Sequence, residues 1–123
     1  MAIQTILVVD DDASLREILT EKLENENFKV LTAINGEEGL QTAKVKHPDL
    51  ILLDINMPIM DGLEMLKFLR KDDWGKEVPV ILLTIVREEE KIAEAIEKEA
   101  CDYIIKSNWD LDKIVEKIRS KLS

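Results

Sequence analysis

Five short runs rich in aliphatic and β-branched residues, separated by longer stretches of helical periodicity, leave this chain few folds to choose from. The runs are Thr5–Val9, Lys29–Ala33, Leu50–Leu53, Val80–Thr84 and Tyr103–Ile105. Three of them are nearly continuous apolar tracts, the pattern of strands covered on both faces. Between the runs, apolar residues recur at helical spacing. Leu15, Ile18, Leu19 and Leu23 make one stripe, and Leu63, Leu66 and Leu69 with Met65 and Phe68 make another. Ile92, Ala93, Ile96 and Ala100 make a third, and Leu111, Ile114, Val115, Ile118 and Leu122 a fourth. Asp12 or Ser14 is placed to cap the first helix, and Asn108 or Asp110 to open the last. Alternation of this kind predicts an α/β fold of five βα units, with a parallel sheet covered on both faces. Right-handed crossovers then favour the doubly wound strand order 2-1-3-4-5. A length of 123 residues suits one such domain, expected to span residues 1–123.

A doubly wound sheet binds ligands beyond the carboxyl ends of its strands, at the point where the winding reverses. That rule gathers scattered residues. The first run is followed by Asp10-Asp11-Asp12, the third by Asp54, and the fifth by Lys106, while the fourth ends in Thr84. Neighbouring strands lie roughly 4.8 Å apart, so these side chains can converge. Three carboxylates in one crevice call for a counter-ion. Mg²⁺ fits, because it takes oxygen ligands and needs only one or two carboxylates. Asp10, Asp11 and Asp54 against one Mg²⁺ and Lys106 leave no net charge. Such a site can transfer a phosphoryl group, with the cation, Lys106 and the Thr84 hydroxyl stabilising phosphoryl oxygens. Asp54 is best placed to be the nucleophile, because it ends a buried strand and precedes the turn Asn56-Met57-Pro58.

Composition narrows the alternatives. A formal charge of -9 disfavours direct binding of nucleic acid. The single histidine, His47, and the single cysteine, Cys101, rule out a His-rich zinc site and an internal disulfide. The longest apolar run, Val78 to Val86, is too short to span a bilayer, and Met1-Ala2-Ile3-Gln4 lacks the basic n-region of a signal peptide, so none is expected. The expectation is a cytoplasmic protein with no membrane association.

The motifs Ile6-Leu7-Val8-Val9-Asp10-Asp11, Asp54-Ile55-Asn56-Met57-Pro58-Ile59-Met60-Asp61-Gly62, Leu82-Leu83-Thr84 and Asp102-Tyr103 with Lys106 together resemble the receiver domain of two-component response regulators. The resemblance covers nearly the whole chain and implies a flavodoxin-like sandwich of the chemotaxis type. It implies that Asp54 accepts a phosphoryl group from a sensor histidine kinase or phosphotransfer protein, in an Mg²⁺-dependent reaction. By the same resemblance, Asp10 and Asp11 hold the metal with Asp54 and the backbone carbonyl of Asn56. Thr84 and Tyr103 are then the switch pair, and Lys106 binds the phosphoryl group. The implied protein is a signalling switch, not a multiple-turnover enzyme. Its kinase docks over the first helix near Ser14, Leu15 and Ile18 and beside Ser107. Its output partner, or an attached output domain, meets the face formed by the fourth helix, fifth strand and fifth helix, roughly Arg87–Lys98, Tyr103 and Lys113–Lys117.

Three departures from the family pattern stand out. Ile85 replaces a small residue after the threonine, Ser107 replaces a proline after the lysine, and Glu99 replaces a glycine. A trans Lys106–Ser107 bond is expected, since cis costs about 2.5–4 kcal/mol without proline. The departures motivate an alternative, a pseudo-receiver that binds partners without phosphorylation. An Mg²⁺-dependent phosphohydrolase or nuclease is disfavoured by the acidic charge and the lack of a basic groove. A flavin carrier is disfavoured by the acids where a phosphate loop needs amides and hydroxyls.

Overall fold

The computed structural model, which describes residues 3–84, 93, 100, 102–105 and 110–122, joins all five predicted strands in one parallel sheet of order β2-β1-β3-β4-β5. The strands are β1 (Thr5–Val9), β2 (Lys29–Ala33), β3 (Leu50–Asp54), β4 (Val80–Thr84) and β5 (Asp102–Ile105). The described helices are α1 (Ala13–Asn25), α2 (Gly36–Lys46), α3 (Gly62–Lys71) and α4 (Leu111–Leu122). Most of the stripe from Ile92 to Ala100 lies outside the described residues, as do Ile85, Glu99, Cys101, Lys106, Ser107, Asn108 and Trp109.

Strand alternation sorts the aliphatic residues into two cores. Leu7, Val9, Ile51, Leu53, Val80 and Leu82 pack beneath α2 and α3, with Ala43, Met65, Leu66 and Leu69. Ile6, Val8, Leu50, Leu52, Ile81 and Leu83 pack on the other face beneath α1 and α4, with Leu19, Leu23, Ile114 and Ile118. The central strands β3 and β4 are buried along their whole length, which explains their unbroken apolar tracts. The edges are β2, where Lys29 and Thr32 are exposed, and β5, where Tyr103 is exposed.

Asp12 caps α1, its carboxylate accepting from the Leu15 amide at 3.3 Å. Asp110 opens α4, accepting from the amides of Asp112 at 3.0 Å and Lys113 at 3.4 Å. Helix α2 approaches the sheet on small residues: Gly36, Gly39 and Ala43 are its buried face. A methyl group on Gly39 would stand 2.9 Å from both Val9 methyls. His47 ends α2 at φ 47° and stacks on the Trp74 ring, with centroids 4.4 Å apart.

Charged contacts clamp α4. Lys22 of α1 donates to Asp112 at 2.6 Å, and Arg119 pairs with Glu26 at 3.3 Å. Asp102, the first residue of β5, receives Lys117 at 3.2 Å and Lys121 at 3.7 Å. Burial pushes the Asp102 carboxyl up, but the Tyr103 amide and the two lysines outweigh it and hold the group below its ordinary 3.8. Its stabilising contribution is therefore complete above that ordinary value and is lost as pH falls through the lowered one. Thermal melts from pH 6 to pH 3 are expected to fall more steeply for the native chain than for Asp102→Asn. Parallel acid limbs would show that Asp102 carries no such contribution.

Candidate functional site: a carboxylate cage at the sheet edge

The cage follows from strand parity. Ile6 and Val8 of β1, and Leu50 and Leu52 of β3, face the α1 side, and the next residues of the same parity are Asp10 and Asp54. Val9 pairs with Leu53 in the β1–β3 register. One step further, Asp10 and Asp54 stand side by side at the carboxyl edge, where the winding reverses between β1 and β3. Both are buried, Asp10 at 0% and Asp54 at 2% exposure, whereas Asp11 is open to solvent. One ligand oxygen each from Asp10, Asp11 and Asp54 lies within 4.8 Å of the others.

Local bonds fix this geometry. The Asp10 amide donates to the Ala33 carbonyl at 3.1 Å, extending the β1–β2 pairing by one residue. The Asp10 carboxylate accepts from the Asp12 amide at 2.9 Å, and the Asp10 carbonyl accepts from Arg16 Nη1 at 2.7 Å. After Asp54, the Ile55 amide donates to the Leu83 carbonyl at 3.3 Å, and the Ile55 carbonyl accepts from the Gly62 amide at 2.8 Å. The loop between them leans on the β2–α2 turn, where the Gly36 amide donates to the Met60 carbonyl at 2.9 Å. Ile59 in this loop holds φ 72°, a conformation that costs a β-branched residue about 1–2 kcal/mol. Asp61 then caps α3 by accepting from the Glu64 amide at 2.8 Å.

The donor set suits a hard divalent cation. It consists of carboxylate oxygens, two of them on buried side chains and one open to water, the hard ligands that Mg²⁺ takes. Like charges at that spacing repel by roughly 3 kcal/mol per pair at an effective dielectric of about 20, a repulsion that a divalent cation would relieve.

Three of the four other residues singled out from sequence, Thr84, Tyr103 and Asn56, are among the described residues. Thr84 is fully buried at the end of β4, one residue beyond Leu83, which pairs with Asp54. Its parity is that of Val80 and Leu82, so it lies at the same sheet edge as the cage but on the opposite face from Leu83 and Asp54. Tyr103 is 38% exposed and pairs with Leu82, which puts it diagonal to Thr84 on that same face. Asn56 is exposed two residues beyond Asp54. Lys106 lies outside the described residues, immediately after Ile105, the register partner of Thr84. Sequence reasoning missed Arg16, and it quoted Gly62 as the end of a motif without giving it a role. Arg16 carried only a weak signal, a cation in the first turn of the helix that follows the acids.

Comparison with known proteins accords with this geometry. The profile of the response regulator receiver domain matches residues 6–119. Regulatory protein AtoC of Escherichia coli is 40% identical over 113 residues, covering 92% of this chain and 24% of that protein. DNA-binding response regulator MtrA of Mycobacterium tuberculosis is 37% identical over 119 residues, covering 97% of this chain and 50% of that protein. The chain thus spans half or less of the length of these relatives. Among solved structures, Vibrio cholerae chemotaxis protein CheY4 superposes with a TM-score of 0.92 at 30% identity, covering 98% of this chain and 100% of that one.

Proposed function

The chain belongs to the response regulator receiver domain family of two-component signalling, and from that premise we propose that it is a switch thrown by phosphorylation of Asp54. The observation that carries this reading is the convergence of Asp10, Asp11 and Asp54 within 4.8 Å at the winding reversal of the sheet. The domain is taken to be residues 1–123, a signalling module and not a multiple-turnover enzyme.

Asp10, Asp11 and Asp54 would hold Mg²⁺, with the Asn56 backbone carbonyl. When bound, the cation neutralises phosphoryl oxygens that would otherwise be repelled by the cage. An Asp54 oxygen attacks phosphorus on the donor phosphohistidine; the O–P bond forms and the N–P bond breaks. The leaving imidazole nitrogen keeps the electron pair and takes a proton. Asp10 and Asp11 orient the acceptor, and burial of Asp54 limits the water that competes for the phosphoryl group. Lys106 and Thr84 would donate hydrogen bonds to the phosphoryl oxygens.

Phosphorylation adds charge and acceptors at the cage. Thr84 and Tyr103 share one sheet face, so movement of Thr84 toward the phosphoryl group would change the packing available to Tyr103. The output surface is Tyr103 with Lys113–Lys117 of α4 and Arg87–Lys98, most of which lies outside the described residues, presented to a downstream protein or output domain. The kinase or phosphotransfer protein would dock over α1, where Ser14 is exposed and Ile18 is 47% exposed. No described helix is long and apolar enough to cross a membrane, which suits the cytoplasmic location proposed here.

The test is a mass measurement. Incubation with Mg²⁺ and a small-molecule acyl phosphate is expected to add one phosphoryl mass to the native chain and none to Asp54→Ala. Equal labelling of both proteins would remove Asp54 from the acceptor role. No labelling of the native chain would favour the pseudo-receiver.

A further inference from the structure

Two acids of the cage, Asp10 and Asp11, sit on the three-residue bridge Asp10-Asp11-Asp12 between β1 and α1. Repulsion among them works to splay that bridge. One residue spans it. The Arg16 amide donates to the Asp12 carbonyl at 3.0 Å, and the Arg16 guanidinium donates to the Asp10 carbonyl at 2.7 Å. The backbone and the side chain of one helical residue therefore bracket Asp11 from both sides. The guanidinium contact is partly buried, and Arg16 lines the groove between α1 and β2 with Ala13, Thr20, Val30 and Thr32.

We infer that Arg16 is a positioning residue, which holds the peptide of Asp10 so that the Asp10 and Asp11 carboxylates stay aimed at Asp54. The inference rests on the reading of the cage as a divalent-cation site. The chemistry of the contact supports it. The guanidinium bonds a peptide carbonyl, a neutral acceptor that is not itself a ligand oxygen of the cage. It thereby contributes order without taking up the oxygens gathered for the cation. A rigid planar donor suits that task better than a flexible ammonium.

The sign of the effect on Mg²⁺ affinity separates positioning from mere charge. A guanidinium this near opposes a second cation, so removing it on charge grounds alone tightens Mg²⁺ binding. Loss of positioning weakens it, and removal of partners that orient metal ligands typically costs 10- to 100-fold in affinity. In calorimetric titrations with MgCl₂ at fixed ionic strength, Arg16→Met is expected to bind about tenfold more weakly than the native chain. Arg16→Lys is expected to lose less. Unchanged or tighter binding by Arg16→Met, with a native-like melt, overturns the inference.

A second readout needs no metal. The Asp12 amide donates to the Asp10 carboxylate at 2.9 Å. In metal-free protein its hydrogen exchange is expected to quicken about tenfold in Arg16→Met, while sheet amides keep their rates. Unchanged exchange at Asp12 also overturns the inference. Should Arg16→Met fail to fold, the same two measurements on Arg16→Gln decide the matter, with the same outcomes expected. A native chain that binds no Mg²⁺ overturns the cation reading itself, and the exchange of Asp12 still judges Arg16.

Discussion

Gly62→Ala is expected to cost about 3 kcal/mol of stability, a fall of roughly 10 °C in melting temperature, and to slow phosphoryl acceptance about a hundredfold. The reason is space. No described glycine has a positive φ, so a left-handed backbone is not what requires glycine here. A methyl group on Gly62 would stand 2.1 Å from the Asp54 carbonyl oxygen and 3.0 Å from the Ile55 Cα. Both are backbone atoms of the segment that carries Asp54, and that segment is buried on both faces of the sheet. The Gly62 amide also bonds the Ile55 carbonyl at 2.8 Å, so helix α3 cannot retreat without losing that contact. Relief must come from moving the end of β3, which displaces Asp54. Thermal melts and labelling rates at fixed donor concentration check both effects together. A native-like melt for Gly62→Ala would show that the β3–α3 junction has slack the packing does not suggest.

Asp54→Asn is expected to act in the opposite direction on stability. In the absence of Mg²⁺ it should gain about 2 kcal/mol, or roughly 7 °C. The carboxylate is 2% exposed and shares a small volume with those of Asp10 and Asp11. Neutralising it removes two repulsive pairs while keeping the shape of the side chain. Sites of this kind trade stability for activity. Mg²⁺ at a hundred times its dissociation constant stabilises the native chain by about 2.7 kcal/mol, so the ranking of the two proteins should close or reverse when Mg²⁺ is added. Paired melts with and without MgCl₂ measure this. An Asp54→Asn variant less stable than the native chain without Mg²⁺ would mean that repulsion within the cage is not the dominant force on Asp54.

Much of this arrangement is legible in the sequence, because the strands are the kind of element that sequence describes well. A strand buried on both faces has to be apolar throughout, and Leu50–Asp54 is apolar until the acid that ends it. Once the strand order is known, parity alone brings Asp10 beside Asp54. Helix α2 is the instructive exception. Its buried face is Gly36, Gly39 and Ala43, small residues that leave no stripe to read, because the helix lies so close to Val9. Arg16 and the packing role of Gly62 are hidden from sequence for a related reason. An arginine in a helix reads as solvated surface, and a glycine at a helix start reads as a turn. Their importance lies in distances of 2.7 Å to the Asp10 carbonyl and 2.1 Å from a hypothetical methyl to the Asp54 carbonyl, which only the folded chain defines. The parity of Thr84 was equally hidden, since the sheet edge gathers residues from both faces.

The cage is expected to make Asp54 the seat of a phosphoryl group. An aspartyl phosphate is reduced by borohydride to homoserine, which peptide sequencing by mass spectrometry locates to a single position. After treatment with a small acyl phosphate, homoserine is predicted at position 54 when Mg²⁺ is present and at no position when Mg²⁺ is chelated. Homoserine at Asp10, Asp11 or elsewhere, or a yield at position 54 that is indifferent to Mg²⁺, would contradict the account.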